Sequence, residues 1–459
     1  KNIKASICLI FILSALPLFS QQYMTEDVVT GLNQPVSFVF LPDNNILLTQ
    51  KFGLSKIYTL NNTFVSDFWN FTDSTSSGGE RGLLGVVLDP NFQVNRYTYF
   101  FYITSQNRYR VVRLKENNNA GTEPFILFDE SNAVGSFHFG GNMRFGRDNK
   151  LYVSIGDNGT GSNSQSLTTF KGKILRLNSN GTIPTDNPFY DDGNPYTGND
   201  DRIWAYGLRN SFDFCFSPVN DSLYASENMV GNPDEINFIR KGKNYGWPVC
   251  SGYCFPYNPA YKDPIGILPG NDFMDYAPTG ILVYTGSQMP ELTNKLLVIG
   301  MGGGQIYRGL VKCDLGNAPL YDTITAKSIL MDLTGTTLMQ GSDGHLYICR
   351  LSQGTITRFK HDVTGINNNN SPVGYSVSQN YPNPFNPVTS IRYEIPKEGI
   401  VSLKIYNVLG SEVSTLVNET KQQGSYEVTW DAANYPSGVY FYELSADEFT
   451  ERKKMVLVK

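Results

Sequence analysis

The chain has 459 residues, of which 17% are charged and 13% aromatic, with 43 Gly and 24 Pro. This length exceeds that of one typical domain, and a net charge of −5 excludes the strongly basic surface of a nucleic-acid-binding protein. Many aromatic residues and turn formers with few charges are typical of all-β proteins. We therefore expect two folded β units and no nucleic-acid partner.

The first 20 residues have the pattern of an export signal. Lys1 and Lys4 form a basic start, and the apolar run Ile7–Leu18 is shorter than the about 20 residues that span a bilayer. We predict that residues 1–20 are a signal peptide cleaved near Ser20 and that the chain has no transmembrane segment. A buried N-terminal helix is the alternative.

A turn followed by a short apolar strand recurs six times in the next 340 residues. One strand residue from each copy lies at Ile46, Thr98, Leu151, Leu223, Leu296 and Leu346, in steps of 53, 52, 72, 73 and 50 residues. Propeller blades repeat at about 40–50 residues, so the two longer steps predict loop insertions. We predict a six-bladed β-propeller over residues 23–362; a β-sandwich with hairpin turns is the alternative.

Five cysteines follow the signal segment. Export permits disulfides, and the close pair Cys250 and Cys254 predicts a short one, with a metal clip as the alternative. Cys215 and Cys349 lie in apolar, strand-like runs and are predicted to be inert core residues.

A polar linker at 363–377 separates the propeller from a compact β-sandwich at 378–459. The phrases Tyr381–Pro387, Val401–Gly410 and Ser437–Leu444 of this segment resemble the sorting domain of the type IX secretion system. The resemblance implies export through the periplasm and outer membrane by the type IX machinery, removal of the domain, and release or attachment at the cell surface. A carbohydrate-binding or adhesive sandwich is the alternative.

Histidine occurs three times, and one copy stands out. His138 lies in the glycine-rich phrase Phe137–Asn142, shortly before Gly156–Gly159. A neutral imidazole among glycines, where a ligand can approach the backbone closely, is a candidate general base. A histidine whose ring is bonded within a tight loop is the alternative.

Further phrases extend this one into an ordered series. They are Gly79–Gly85, Asp89–Phe92, His138–Gly141, Gly156–Gly159, Gly172–Arg176, Trp204–Asn210, Asp234–Asn237, Asn244–Pro248, Pro278–Gly280 and Gly302–Arg308. Over roughly residues 30–360 the series resembles the soluble quinoprotein glucose/sorbosone dehydrogenase family, which folds as a six-bladed propeller. The resemblance implies oxidation of an aldose sugar to its lactone, dependent on calcium and pyrroloquinoline quinone (PQQ).

The resemblance also implies roles for individual residues. His138 matches the base that takes the hydroxyl proton while hydride passes to the quinone. Arg209 matches the arginine beside the quinone oxygens, where a fixed cation stabilises developing negative charge. Glu80 and Asn210 match cofactor-contacting positions.

Calcium is implied in two places. One ion would bind the cofactor's oxygens and backbone carbonyls near Met229 and Val230, where it would polarise the quinone. Glu235 and Tyr245 match positions near a second, structural calcium in some members.

The chain departs from the family pattern where PQQ carboxylates are held. Family members use a lysine and two arginines from the last blades, whereas Gly300–Gly304 and Leu333–Gln340 carry no cation here. Met229 replaces an expected glycine. Three missing charge-assisted hydrogen bonds, at about 1.5–3 kcal/mol each, correspond to about a thousandfold or more in affinity. Arg308 and Arg350 are candidate replacements.

Three functions therefore remain open. The retained His138, Arg209 and Asn210 favour a secreted PQQ-dependent sugar dehydrogenase. The missing cations favour a non-catalytic propeller that binds a glycan or protein partner. A calcium-dependent sugar lactonase would need a cage of acidic side chains at the channel mouth.

Overall fold

A computed structural model describes residues 23–229, 234–268, 276–302, 309–317, 320–362, 375–377, 379–380, 383–447 and 449–459. The described residues form two units, Tyr23–His361 and the segment from Asp362 to Lys459. The predicted signal peptide and most of the predicted linker lie outside the described residues.

The described part of the first unit contains six four-stranded antiparallel sheets. Sheet 1 comprises β2 (Pro35–Phe40), β3 (Ile46–Gln50), β4 (Leu54–Tyr58) and β5 (Phe64–Asn70); sheet 2 comprises β6 (Leu83–Leu88), β7 (Tyr97–Ile103), β8 (Tyr109–Asn117) and β9 (Ala120–Glu130). Sheet 3 comprises β10 (Met143–Phe145), β11 (Leu151–Ile155), β12 (Lys173–Leu177) and β13 (Ile203–Tyr206); sheet 4 comprises β14 (Ser211–Phe216), β15 (Leu223–Glu227), β16 (Glu235–Ile239) and β17 (Gly266–Ile267). Sheet 5 comprises β18 (Pro278–Val283), β19 (Leu296–Gly300), β20 (Leu310–Leu315) and β21 (Ile324–Met331); sheet 6 comprises β22 (Thr337–Gln340), β23 (Leu346–Arg350), β24 (Thr355–His361) and β1 (Tyr23–Val29).

The repeated phrase of the sequence forms the hairpin that leads into the second strand of each sheet. In three copies an aspartate carboxylate, from Asp43, Asp148 or Asp343, accepts the backbone N–H two residues later. Such Asx turns hold the chain in a tight reversal between apolar strands. The short polar turn therefore sets where each second strand begins.

The six sheets close into a ring. Each first strand (β2, β6, β10, β14, β18 and β22) contacts the first strand of the next sheet, and β22 contacts β2. β1 pairs antiparallel with β24, so the N-terminal strand of the unit completes sheet 6. The first strands thus surround a central channel, as in a β-propeller.

Helices are short in the described residues. They are α1 (Phe92–Asn95), α2 (Ser162–Gln165) and the 3₁₀ turns Thr72–Ser74 and Pro290–Leu292. None of the described helices has the length and apolar character needed to cross a membrane.

The cysteine predictions are confirmed. Cys250 and Cys254 form a disulfide. Cys215, Cys313 and Cys349 are buried free thiols, and burial raises the pKa of each to about 12. Such thiols are protonated and unreactive at neutral pH.

The second unit is a two-sheet β-sandwich. One sheet has the order β25 (Ser376–Val377), β26 (Val388–Ile395), β29 (Gly424–Asp431); the other has the order β28 (Glu412–Lys421), β27 (Gly399–Asn407), β30 (Gly438–Ala446), β31 (Phe449–Leu457). Trp430, Tyr440 and Tyr442 fill the core between them. The predicted all-β chain with a C-terminal sandwich is confirmed.

Candidate functional site

A cavity of about 260 Å³ lies at the central channel of the first unit. Five of the six sheets contribute to its wall through the ends of their inner strands. Its apolar wall is formed by Val36, Leu84, Phe212, Met301 and Leu351. Its polar wall is formed by Lys51, Glu80, Asn210, Asn228, Thr279 and Thr336. A concave, largely apolar site with a few converging polar groups is typical of a small-molecule pocket.

His138 lies beside this cavity, on the loop that precedes β10. Its backbone N–H donates to Glu80 Oε2 at 2.7 Å, which ties the histidine to a cavity-lining carboxylate. Its φ is +63°, a left-handed conformation that is uncommon for a non-glycine residue. A Cβ at Gly156 would collide with the His138 carbonyl, so glycine is needed for this close approach.

Asp157 orients the His138 ring. The Nδ1 atom of His138 lies 2.7 Å from Asp157 Oδ1, and the His138 side chain is 15% exposed. Asp157 Oδ1 also accepts the Gly159 N–H at 2.7 Å, and Oδ2 accepts Trp247 Nε1–H at 2.9 Å. Because donors occupy both oxygens, the carboxylate acts as an acceptor and Nδ1 carries the ring proton. The Nε2 lone pair is then available as a base.

Arg209 is joined to the same group of residues. Its guanidinium lies 5.4 Å from the centre of the Trp247 ring, and its carbonyl accepts the Asp157 N–H at 2.7 Å. Its Nη1 donates to the Asn228 carbonyl at 2.6 Å, and Asn228 lines the cavity. Asp157 and Trp247 therefore link the imidazole of His138 to the guanidinium of Arg209.

Asn210 extends this arrangement into the cavity wall. Its Oδ1 accepts the Gly140 N–H at 3.1 Å, and its own N–H donates to the buried carboxylate of Glu227. Glu227 also accepts the Arg209 N–H at 2.9 Å. Burial, reinforced by the nearby carboxylate of Glu235, raises the pKa of Glu227 to about 8.

Known proteins resemble both units. The family profile described as Glucose / Sorbosone dehydrogenase matches residues 32–358, and the one described as Secretion system C-terminal sorting domain matches residues 379–459. This chain belongs to the glucose/sorbosone dehydrogenase family. Its C-terminal domain indicates type IX secretion to the cell surface or beyond.

Individual relatives cover most of the first unit. The aldose sugar dehydrogenase YliI of Escherichia coli is 28% identical over 318 residues, which cover 64% of this chain and 81% of that protein. Quinoprotein glucose dehydrogenase B of Acinetobacter calcoaceticus is 26% identical over 386 residues, which cover 75% of this chain and 79% of that protein. The PQQ-bound aldose sugar dehydrogenase of Streptomyces coelicolor has the same fold, with a TM-score of 0.62 at 22% identity over 74% of this chain and 99% of that one.

One relative matches only part of this chain and is not named as a dehydrogenase. The hedgehog-interacting protein of Mus musculus is 28% identical over 214 residues, which cover 40% of this chain and 30% of that protein. The match spans less than half of either protein.

The family's calcium positions are only partly described. Val230 lies outside the described residues. Met229 is buried, and its N–H donates to Asp234 Oδ1 at 2.8 Å. Buried carboxylates adjoin this loop, and burial raises the pKa of Glu235 to about 7.

The described hydrogen bonds of Glu235 and Tyr245, the two positions implied for a second calcium, go to other residues rather than to each other. Glu235 accepts N–H groups from Gly252 at 2.5 Å and Asn237 at 3.1 Å. The Tyr245 hydroxyl donates to the Phe238 carbonyl at 2.6 Å. The described contacts thus join the Tyr245 hydroxyl to the Phe238 carbonyl, and the Glu235 carboxylate to Gly252 and Asn237.

Lys51 supplies a positive charge that the sequence analysis did not include. It follows β3, lines the cavity, and donates from Nζ to the Gly79 carbonyl at 2.7 Å. One of its three N–H groups is used in this contact, which leaves two for a ligand anion. Arg350 Nε donates to the Thr334 carbonyl at 3.3 Å, and Arg308 lies outside the described residues.

Asp157 and Trp247 were also missed as site residues, although both lie in phrases singled out above. Asp157 lies in Gly156–Gly159, and an aspartate near a histidine in a glycine-rich motif is a detectable signal for an orienting carboxylate. Trp247 is 90 residues away from Asp157, so only the folded chain shows their contact.

Proposed function

We propose that this chain is a secreted, PQQ-dependent dehydrogenase that oxidises an aldose sugar to its lactone. The observation that supports this most strongly is the chain of contacts His138–Asp157–Trp247–Arg209 beside the cavity. It combines an oriented base and a fixed cation, each bonded to a residue of the cavity wall, Glu80 for His138 and Asn228 for Arg209. Membership of the glucose/sorbosone dehydrogenase family supports the same reaction class.

His138 acts as the general base. With Nδ1–H held by Asp157, Nε2 takes the proton from the anomeric hydroxyl of the sugar. The charge that develops on the ring is stabilised by the Asp157 carboxylate 2.7 Å away. The cofactor, when bound, supplies the two-electron oxidant that the sugar's anomeric carbon requires.

The described cavity fits a quinone with at least one anionic group. Its apolar walls suit a flat aromatic ring, and Lys51 would pair with one carboxylate. Arg209 and Asn210 would hold the quinone oxygens, with Arg209 positioned by Asn228 and by the face of Trp247. Glu80 would hold the His138 loop against the cofactor.

Calcium belongs to this proposal as a further partner. We assign its site to the loop that follows β15, near Met229 and Val230, with Glu235 as an acidic neighbour. Calcium favours six to eight oxygen ligands. Burial raises the pKa values of Glu227 and Glu235, and a cation bound beside them would favour their charged forms.

The test is a binding titration. Purified protein is mixed with calcium chloride and PQQ, the quinone absorbance is followed, and dye reduction is measured with a panel of aldoses. We expect saturable binding and sugar-dependent dye reduction. No saturation at micromolar PQQ would contradict the proposal.

Lys51 provides a sharper test with a matched control. Losing one charge-assisted hydrogen bond, at about 1.5–3 kcal/mol, predicts PQQ binding about 10- to 150-fold weaker in Lys51→Met. Lys56→Met removes a lysine on β4 that pairs with Asp67, and it should bind PQQ as the wild type does. Equal affinities in both variants would remove Lys51 from the cofactor site.

The second candidate is a non-catalytic propeller that binds a glycan or protein partner. It is favoured by the partial match to hedgehog-interacting protein and by the described cavity wall, in which Lys51 is the one cation. Under this function, PQQ would not bind, and His138→Asn would leave partner binding unchanged.

The C-terminal unit serves export in either case. We propose that the type IX machinery recognises it and that it is removed when the first unit is released or attached at the cell surface. Mass spectrometry of the exported protein would test this, because a retained C-terminus at Lys459 would contradict removal.

A further inference from the structure

Three aspartates converge outside the cavity, in the long loop that joins β12 to β13. Asp191, Asp192 and Asp201 each offer a carboxylate oxygen, and these three atoms lie within 4.8 Å of one another. None of the three lines the central cavity. None forms an ion pair with a residue of the described ranges.

The burial of Asp201 provides an independent indication of a ligand. The side chain of Asp201 is 0% exposed, and its Oδ2 atom has no hydrogen-bond partner among the described residues. An unpaired buried carboxylate oxygen is costly, because water no longer solvates it. A bound cation would satisfy it.

The arginine next to Asp201 in the sequence is already paired with other carboxylates. Arg202 pairs with Asp200 at 2.7 Å and with Glu130 at 2.5 Å, so its single charge is matched by two carboxylates. The surroundings therefore add negative charge to the three aspartates. Three charged carboxylates this close repel one another strongly, and either a cation between them or a proton on one of them relieves the repulsion.

Hydrogen bonds join the middle of the loop to its C-terminal end. Asn187 Nδ2 donates to the carbonyls of Arg176 at 3.0 Å and Asp201 at 2.9 Å, which fastens the buried C-terminal end of the loop to β12. The Asp191 N–H donates to Asp201 Oδ1 at 2.6 Å, which brings the middle of the loop to this end. Asn187 thus fixes Asp201 from outside the cluster, and Asp201 in turn holds Asp191.

We propose that Asp191, Asp192 and Asp201 bind one calcium ion. Hard oxygen donors suit calcium, and its metal–oxygen distance of about 2.4 Å gives about 4.8 Å between ligands on opposite sides of the ion. The observed spacing therefore allows all three oxygens to contact a single ion. The ion cross-links the middle of the loop to its C-terminal end and stabilises the first unit.

Thermal unfolding of the full chain tests this proposal, with calcium chloride as the probe and no PQQ. The Tm of the wild type should begin to rise at an onset concentration of about 0.1–1 mM calcium, the range of extracellular calcium modules, and should continue to rise with the logarithm of the calcium concentration. Asp192→Asn and Asp201→Asn should each move the onset concentration at least about tenfold higher. Asp67→Asn, which removes a carboxylate on β5, should match the wild type.

Each other outcome counts against the site. A calcium response unchanged in both variants would place the ion elsewhere, and no response in the wild type would exclude the site. An onset concentration for magnesium as low as that for calcium would overturn the assignment to calcium. If Asp201→Asn does not fold, Asp192→Asn at its exposed position decides the matter.

Discussion

The two units differ in what they bury. In the first unit, buried charged side chains include Asp157, Arg209 and Glu227 near the central cavity, and Asp201 and Arg202 in the loop that joins β12 to β13. In the described part of the second unit, no charged side chain is buried, and Trp430 and its aromatic neighbours dominate the core. Both units are antiparallel β structures of similar local geometry.

This difference bears on where each unit could act. Burying a charge costs free energy unless partners compensate, so clusters of buried charges are candidates for functional sites. A core without charge needs only its packing to remain folded. We therefore look for the proposed chemistry in the first unit and assign the second unit only the sorting role that its family match indicates.

The largest expected effect comes from removing the imidazole. His138→Asn should lower turnover with PQQ and sugar by about 10²–10⁴-fold, the usual contribution of a general base. Asparagine tolerates the left-handed backbone of this position, so the Tm should change little. Dye reduction and thermal unfolding measure the two effects. His345→Asn, on an outer turn, is the control, and a loss below about threefold in His138→Asn would contradict the assignment.

A core variant of the second unit should unfold that unit alone. Trp430→Ala removes a side chain that is 2% exposed, and it should cost about 3–5 kcal/mol in the free energy of unfolding. Calorimetry of the full chain should show a lower Tm for the transition of the second unit and an unchanged Tm for that of the first. Val408→Ala, at an exposed position, should shift neither, and a shift of both transitions by Trp430→Ala would show that the units unfold together.

Asp157→Asn should have a smaller effect than the loss of His138. An amide holds the ring less well in the productive tautomer, and loss of the partner that orients a metal-bound histidine typically costs about 10–100-fold, the scale that we expect here. The fall should appear in kcat rather than KM, because Asp157 acts through His138. Trp247→Phe, which removes one donor to Asp157, should fall between this variant and the wild type. An effect on KM alone would show that Asp157 contributes to binding instead.

The smallest effect concerns the closure of the ring. Glu26 on β1 pairs with Arg358 and Lys360 on β24, and these contacts lower its pKa to about 2. Its stabilisation is therefore full above the ordinary pKa of 4.5 and is lost as the pH falls toward 2. In Glu26→Gln, the free energy of unfolding should fall less on acidification than it does in the wild type. The difference should be less than about 1 kcal/mol, since exposed pairs are screened. Urea unfolding at pH 6 and pH 3 measures it; an unchanged pH dependence would show that the pairs contribute nothing.

The sequence allowed prediction of local features and failed where distant contacts decide. Ile46, Leu151 and Leu346 were predicted as strand residues, because the aspartate turns before them are readable within eight residues. β28 (Glu412–Lys421) was not predicted, because Val417 is its one buried residue and the apolar alternation is weak.

In the candidate site, too, local sequence motifs could be predicted, whereas contacts between distant residues could not. His138 and Arg209 were found through their motifs, whereas their linkage depends on Trp247, far along the chain. Lys51 was missed because nothing in its own segment indicates a cavity. Its position follows from ring closure, which brings sheet 1 beside sheet 6.

The pairing of β1 with β24 has a consequence for processing at the cell surface. If processing cuts the chain before Tyr23 and after His361, both cuts fall outside the paired strands, so sheet 6 keeps all four of them. A cut only eight residues further in at the start, after Thr30, would strip β1 away and leave the edge of β24 bare. An exported form trimmed that far would present an unprotected strand to its neighbours and would be prone to aggregate.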